Sequence, residues 1–255
     1  MRDPHVVDLT YTLSSSPDVS FNNPPTVEFD TPIARFVLHD GIVTATMSEH
    51  FADLADARAA IEDTLRAWEL RSAISSNVGR IRFVYKGNTT IDRAPPAAGK
   101  PQHLLVEGMD TLNVSDFAAV HLSAANYPDP PVDFVRTPEV EALCNRWVRQ
   151  REGREPLLTC SYFILTVLER KFNGRREAAR MLSVSESVLD QLGRLVSLHG
   201  DDAKARKAPL VPQPLTTQHE EWIQAVIPEL IRRVAGLSLG PPARALTMAD
   251  LPNLY

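Results

Sequence analysis

Two side chains five positions apart, Arg194 and His199 in the stretch RLVSLHGDDAKARK, are the residues best suited to chemistry in this chain. Histidine is the side chain that titrates near neutrality, so it can move a proton as general acid or base. Arginine offers a planar fork of donors that steadies an oxyanion or phosphate as charge develops. Gly200 follows the histidine and suits the position just past a helix end. His199 would then sit at the negative end of the helix dipole, which favours imidazolium. The plainer alternative is a histidine that only caps its helix. Positions i and i+5 lie about 140° apart around an ideal helix, so the two groups need not meet on one face within a chain. With 7 histidines and 22 arginines, an arginine four to six residues removed from a histidine arises by chance about once or twice.

Basic residues surround this pair in sequence. Arg175, Arg176 and Arg180 precede it, after Arg170 and Lys171, and Lys204, Arg206 and Lys207 follow it. Together they could track a phosphate backbone. The alternative is an ordinary solvated helix face. The segment REAARMLSVSESVLDQLGRL also resembles a helix-turn-helix. Ala179 is small at the helix crossing, Leu182, Val184, Leu189 and Leu192 are apolar, and Ser183 stands at the turn where glycine is usual. Glu186 and Asp190 lie near the start of its second helix, where carboxylates oppose a polyanion. Two amphipathic helices packed in a bundle explain the same pattern, so the non-enzymatic alternatives are a helix-turn-helix DNA-binding module and a protein-interaction module.

The run Arg194, LVSL, His199, with an apolar helix upstream over 157–171 and an amphipathic helix downstream in PLTTQHEEWIQAVIPELIRRVA, resembles the HEPN superfamily over about residues 136 to 236. Leu195 stands where many members carry a polar residue, and some members bind without cleaving. The resemblance implies an all-α domain, a homodimer with two Arg–His pairs facing each other, and RNA as partner. It further implies metal-independent cleavage, in which the 2′-hydroxyl attacks the adjacent phosphate, a reaction open only to RNA. His199 would move the proton and Arg194 would steady the phosphorane.

The elements that must position these groups follow from patterning. HVVDLTYTL, TVEFD, IARFVL and GIVTATM read as strands, with Asp40–Gly41 as a hairpin signal. One helix interrupts them, its stripe formed by Leu54, Ile61, Leu65 and Trp68. GRIRFVYKG, QHLLVEG and FAAVHLSA return to strand. We therefore expect an α+β fold, with a small mixed β-sheet domain containing one helix over 1–130. After the proline-rich NYPDPPVD the grammar turns helical. Thr137 and Pro138 open one helix, and PLLTCSYFILTVLERKF is apolar on nearly every face, as suits the centre of a bundle. Thr217-x-x-Glu220 reads as a capping box, and Pro228 is expected to kink the helix that follows. The second domain is an all-α helical bundle over 136–236, with a C-terminal extension over 237–255 that should pack through its leucines and tyrosine.

Bulk properties narrow the function classes. The 255 residues are 44% hydrophobic and 23% charged, average for a globular protein. From Arg136 onward the charge is +3, and before it −8, so nucleic-acid contact suits the second half better. The two cysteines, Cys144 and Cys160, read as reduced buried thiols. Neither they nor the histidines show metal-ligand spacing, and no glycine-rich phosphate loop is present, so neither metal nor cofactor is expected. The N-terminal MRDPHVVDLTYTL lacks the apolar stretch of a signal peptide, and the apolar run LLTCSYFILTVL is too short to span a bilayer. No membrane association is expected, and we place the chain in a cytoplasm.

Overall fold

A computed structural model describes residues 3–16, 19–75, 80–94, 104–108, 122–198 and 214–254. The chain divides into two compact units at Val132/Asp133. The first is an antiparallel sheet with one helix, and the second is helical.

In the first unit, β1 (Pro4–Ser15), β3 (Val27–Asp30), β4 (Ala34–His39), β5 (Ile42–Met47), β6 (Ile81–Asp92) and β7 (Leu104–Gly108) form one sheet in the order β3-β4-β5-β1-β6-β7. Every pairing in it is antiparallel. The hairpin β4–β5 closes through Asp40 and Gly41, both at positive φ (47° and 72°), as a two-residue turn with the strand twist requires. The alternation read from sequence becomes the core: Leu9, Tyr11, Phe36, Leu38, Val43 and Ala45 turn to one face.

Helix α1 (Leu54–Ile74) covers that face with Ala57, Ile61, Leu65 and Trp68. Asp53 caps it, its carboxylate accepting from the backbone N–H of Ala55 at 2.6 Å. Two elements arise that the sequence reading did not place together. The three-residue β2 (Val19–Phe21) pairs in parallel with β8 (Leu122–Ala124), so the parallel pairing lies outside the main sheet. Beyond β8, the Tyr127 hydroxyl accepts from the Gly41 N–H at 2.7 Å, and the Pro128 carbonyl accepts from Trp68 Nε1 at 3.0 Å. Residues 117–121 of the expected strand FAAVHLSA lie outside the described residues.

The second unit holds α2 (Pro138–Arg151), α3 (Leu157–Lys171), α4 (Arg175–Met181), α5 (Glu186–Leu198) and α6 (Thr217–Gly236). Thr137 caps α2 with Pro138 in the first turn, as expected. Apolar α3 packs against α2, α4, α5 and α6, which explains its lack of a polar face. The cap of α6 differs from the expected box. Thr216, one residue earlier, accepts from His219 N–H at 3.2 Å, and the His219 ring accepts from the Thr216 N–H. A histidine thus does the work assigned to Glu220, because the first hydrogen-bonded turn begins one position sooner. The helix runs as one element through Pro228.

The C-terminal segment, with two short 3₁₀ turns, Leu237–Leu239 and Met248–Asp250, packs within this unit, and Tyr255 lies outside the described residues. Leu246 and Leu254 are buried.

Candidate functional site

The helix pair α4–α5 carries Arg194, and its local geometry follows from the residues at its turn. Ala178 and Ala179 are buried, and their small side chains let α4 approach its neighbours closely. Ser183 adopts the left-handed region (φ 51°), the conformation that glycine supplies in most such turns. Leu182 and Val184 on either side point inward, as do Val188, Leu189, Leu192, Leu195 and Val196 along α5. This leaves Glu186, Ser187, Asp190, Arg194 and Ser197 as the outward face of α5. Leu195 is a core residue here, 2% exposed, so a polar side chain directly after Arg194 would be buried.

The turn is held from two sides. Leu246 forms a parallel bridge with Val184: its N–H donates to Ser183 O at 2.9 Å, and its carbonyl accepts from Ser185 N–H at 2.8 Å. Arg233 of α6 reaches the same turn, with Nη1 donating to the carbonyls of Leu182 (3.0 Å) and Ser183 (2.8 Å). Its Nη2 donates to Arg244 O at 3.0 Å, and its Nε donates to Glu229 at 2.8 Å. The sequence reading did not single out Arg233. The Glu229–Arg233 spacing of four was the only local signal, and that describes any solvated helix pair.

The basic residues have unequal surroundings. Arg175 donates to Glu169 on α3 (2.9 and 2.8 Å) and to Asp190 on α5 (3.0 Å). Its guanidinium lies so close to Gly193 that a Cβ there would meet Nη1 at 2.7 Å. Both carboxylates raise its pKa against the opposing effect of burial, which is the largest single influence. Arg175 therefore ties three helices together. Arg180 is exposed but paired with Glu177, whose carboxyl it holds below the ordinary range. Arg176 and Arg194 are exposed, and among the described residues neither has an ion-pair partner. His199, Lys204, Arg206 and Lys207 lie outside the described residues.

Cys144 on α2 and Cys160 on α3 are both buried, and neither is in a disulfide. Burial pushes the Cys160 thiol up to about 12, reinforced by the nearby Glu155 and opposed by Arg146. A thiolate is the reacting form of cysteine. Iodoacetamide at pH 8 should therefore leave Cys160 unmodified in the native chain and alkylate it in denaturant. Peptide mass mapping reads this directly, and native labelling within minutes would contradict it.

Among the described residues, no three His, Cys, Asp or Glu side chains gather as a metal site. No helix among them is long and apolar enough to cross a membrane. Comparison with protein-family models, curated proteins and solved structures finds no match.

Proposed function

We propose that this is an RNA-associated protein whose helical unit works as an HEPN-like domain, with Arg194 and His199 forming a metal-independent endoribonuclease site. The observation that supports the reading is the contrast among arginines on α4 and α5. Arg175 and Arg180 are neutralised by carboxylates, whereas Arg176 and Arg194 stand exposed and without an ion-pair partner among the described residues, Arg194 within two turns of the end of α5. An uncompensated guanidinium on a helix surface is free to take a phosphate. In the proposed reaction the 2′-hydroxyl loses its proton and bonds to phosphorus. The 5′-oxygen leaves with a proton, giving a 2′,3′-cyclic phosphate and a 5′-hydroxyl. His199 moves the protons, Arg194 faces the phosphorane charge, and a second chain completes the site as a homodimer.

The test is cleavage of a labelled single-stranded RNA in EDTA. Arg194→Ala and His199→Ala should each lower the rate by about 100-fold, with unchanged thermal melts. Intact RNA with the wild-type chain, or full cleavage by both variants, would overturn the reading.

A second reading, a helix-turn-helix that binds duplex DNA, is favoured by the left-handed Ser183 and the small buried Ala179. Its difficulty is electrostatic. Glu186 and Asp190 stand exposed where α5 would meet phosphates and base edges, although Arg175 offsets part of the Asp190 charge. A DNA binder would respond to changes at Ser187 and Gln191 and ignore His199, so a gel-shift series separates the two readings.

A further inference from the structure

The first unit holds a groove that the functional reading does not use. It runs along α1 beside β1 and β6 and encloses about 420 Å³, within the range of small-molecule sites. Its floor is aromatic: Tyr11 from β1 meets Tyr85 from β6 edge-on with centroids 5.6 Å apart, and Phe83 continues the row. Its wall is one face of α1. Ala55 and Ala59 leave room there, and the charged series Arg58, Glu62, Arg66 and Glu69 lines the rim.

Those four charges are not equivalent. Glu69 is occupied twice, by Arg66 at 2.8 Å and by the backbone N–H of Phe83 at 2.9 Å. Arg58 and Glu62 are one helical turn apart and exposed, and among the described residues neither has an ion-pair partner. The Arg58 guanidinium carbon lies over the Tyr85 ring, 4.2 Å from its centroid. It also faces the Tyr11 hydroxyl, which burial pushes above the ordinary tyrosine range and Arg58 pulls back down. The Tyr85 ring and the Tyr11 hydroxyl hold the guanidinium in place, and with five N–H donors and no carboxylate partner among the described residues it keeps donors for an oxyanion.

We propose that this groove binds a small flat aromatic molecule that carries an oxyanion against Arg58 and an N–H donor toward Glu62. The ring body would lie on the Tyr11–Phe83–Tyr85 floor, where aromatic stacking and apolar burial add to the charged contact. The donor is needed because Glu62 would otherwise repel the anion one helical turn away. Carboxylate and phosphate satisfy Arg58 equally in chemical terms. The site is independent of the Arg194 reading, since it lies in the other unit.

The experiment titrates the full-length chain, labelled with ¹⁵N, with four probes. Indole-3-acetate has ring, N–H and carboxylate, and tryptophol has the ring and N–H without the charge. Naphthalene-1-acetate lacks the N–H, and 1-naphthyl phosphate exchanges the oxyanion. Indole-3-acetate should shift amides within 55–69 and 81–88 and bind at least about tenfold more tightly than tryptophol. Arg58→Gln should erase that ratio, and Glu62→Gln should narrow the gap between indole-3-acetate and naphthalene-1-acetate. Tighter binding of 1-naphthyl phosphate than of naphthalene-1-acetate would name phosphate as the natural oxyanion, and the reverse order would name carboxylate. Ala59→Leu, on an exposed helix position that tolerates leucine, should block all four probes. Absence of shifts at millimolar probe, shifts confined to other residues, an unchanged ratio in Arg58→Gln or unimpaired binding by Ala59→Leu would each overturn the proposal.

Discussion

Replacing Trp68 with alanine will cost the β-rich unit about 3–5 kcal/mol, the range for removing a large aromatic from a core. Trp68 is fully buried on α1, and three separate parts of the unit converge on its indole. Phe29 of β3 meets it edge-on at 5.1 Å, and Phe83 of β6 packs at 5.0 Å. Its Nε1 donates to Pro128 O, sixty positions further on, and so fixes the segment that follows β8. Trp68→Phe separates the two contributions. It keeps most of the ring contacts and leaves the Pro128 carbonyl without that donor, for a loss of about 1–3 kcal/mol. Trp222 on α6 is the control: it is equally buried, but its Nε1 has no acceptor among the described residues. Trp222→Phe removes an unpaired donor along with some volume, so it should cost less than Trp68→Phe. Urea unfolding followed by circular dichroism measures all three. A loss below about 1 kcal/mol for Trp68→Ala would mean that the helix does not depend on this contact.

What the sequence disclosed, and what it hid, divides along the range of the interactions. The α+β class and the change from strands to helices were legible because period-two and period-3.6 patterns are local. Ile61, Leu65 and Trp68 are spaced for one helix face, and that face is the one buried. The Asp40–Gly41 hairpin was legible for the same reason. The strand β2 was not, since its three residues pair with Leu122–Ala124, about a hundred positions away. The cap of α6 was misplaced by one residue because Thr216 and Thr217 are both good caps. The choice was made by the His219 ring, which reaches back to the Thr216 N–H. The candidate site was legible only in part. Counting charges made Arg175, Arg176 and Arg180 look like one basic surface. Glu169 and Asp190 lie six and fifteen positions from Arg175, on different helices, so their neutralising effect had no sequence signature.

The same long-range logic governs Arg233, whose replacement by alanine should cost the helical unit about 2–4 kcal/mol. Its side chain is 9% exposed, so its hydrogen bonds operate largely out of water. Deleting it takes a donor from the carbonyls of Leu182, Ser183 and Arg244, of which Ser183 keeps the Leu246 N–H, and removes one partner of Glu229, which keeps its pair with Arg232. Two of those carbonyls belong to the α4–α5 turn and one to the C-terminal segment, so a single guanidinium joins three stretches of chain. The Leu246 bridge to Ser183 and Ser185 is then the contact left to hold that segment against the turn. Hydrogen exchange at the Leu246 and Ser185 amides should accelerate in Arg233→Ala by a larger factor than exchange in α3, because α3 is held by its own core. Arg233→Lys should recover little, since an ammonium on a flexible stem cannot span carbonyls that a planar fork reaches together. Full recovery by lysine would show that charge alone matters. Unchanged exchange at Leu246 in the alanine variant would show that the C-terminal segment is held by Leu246 and Leu254 burial instead. In either proposed function α5 is the working helix, so the orientation of Arg194 depends on a turn that this arginine fixes from behind.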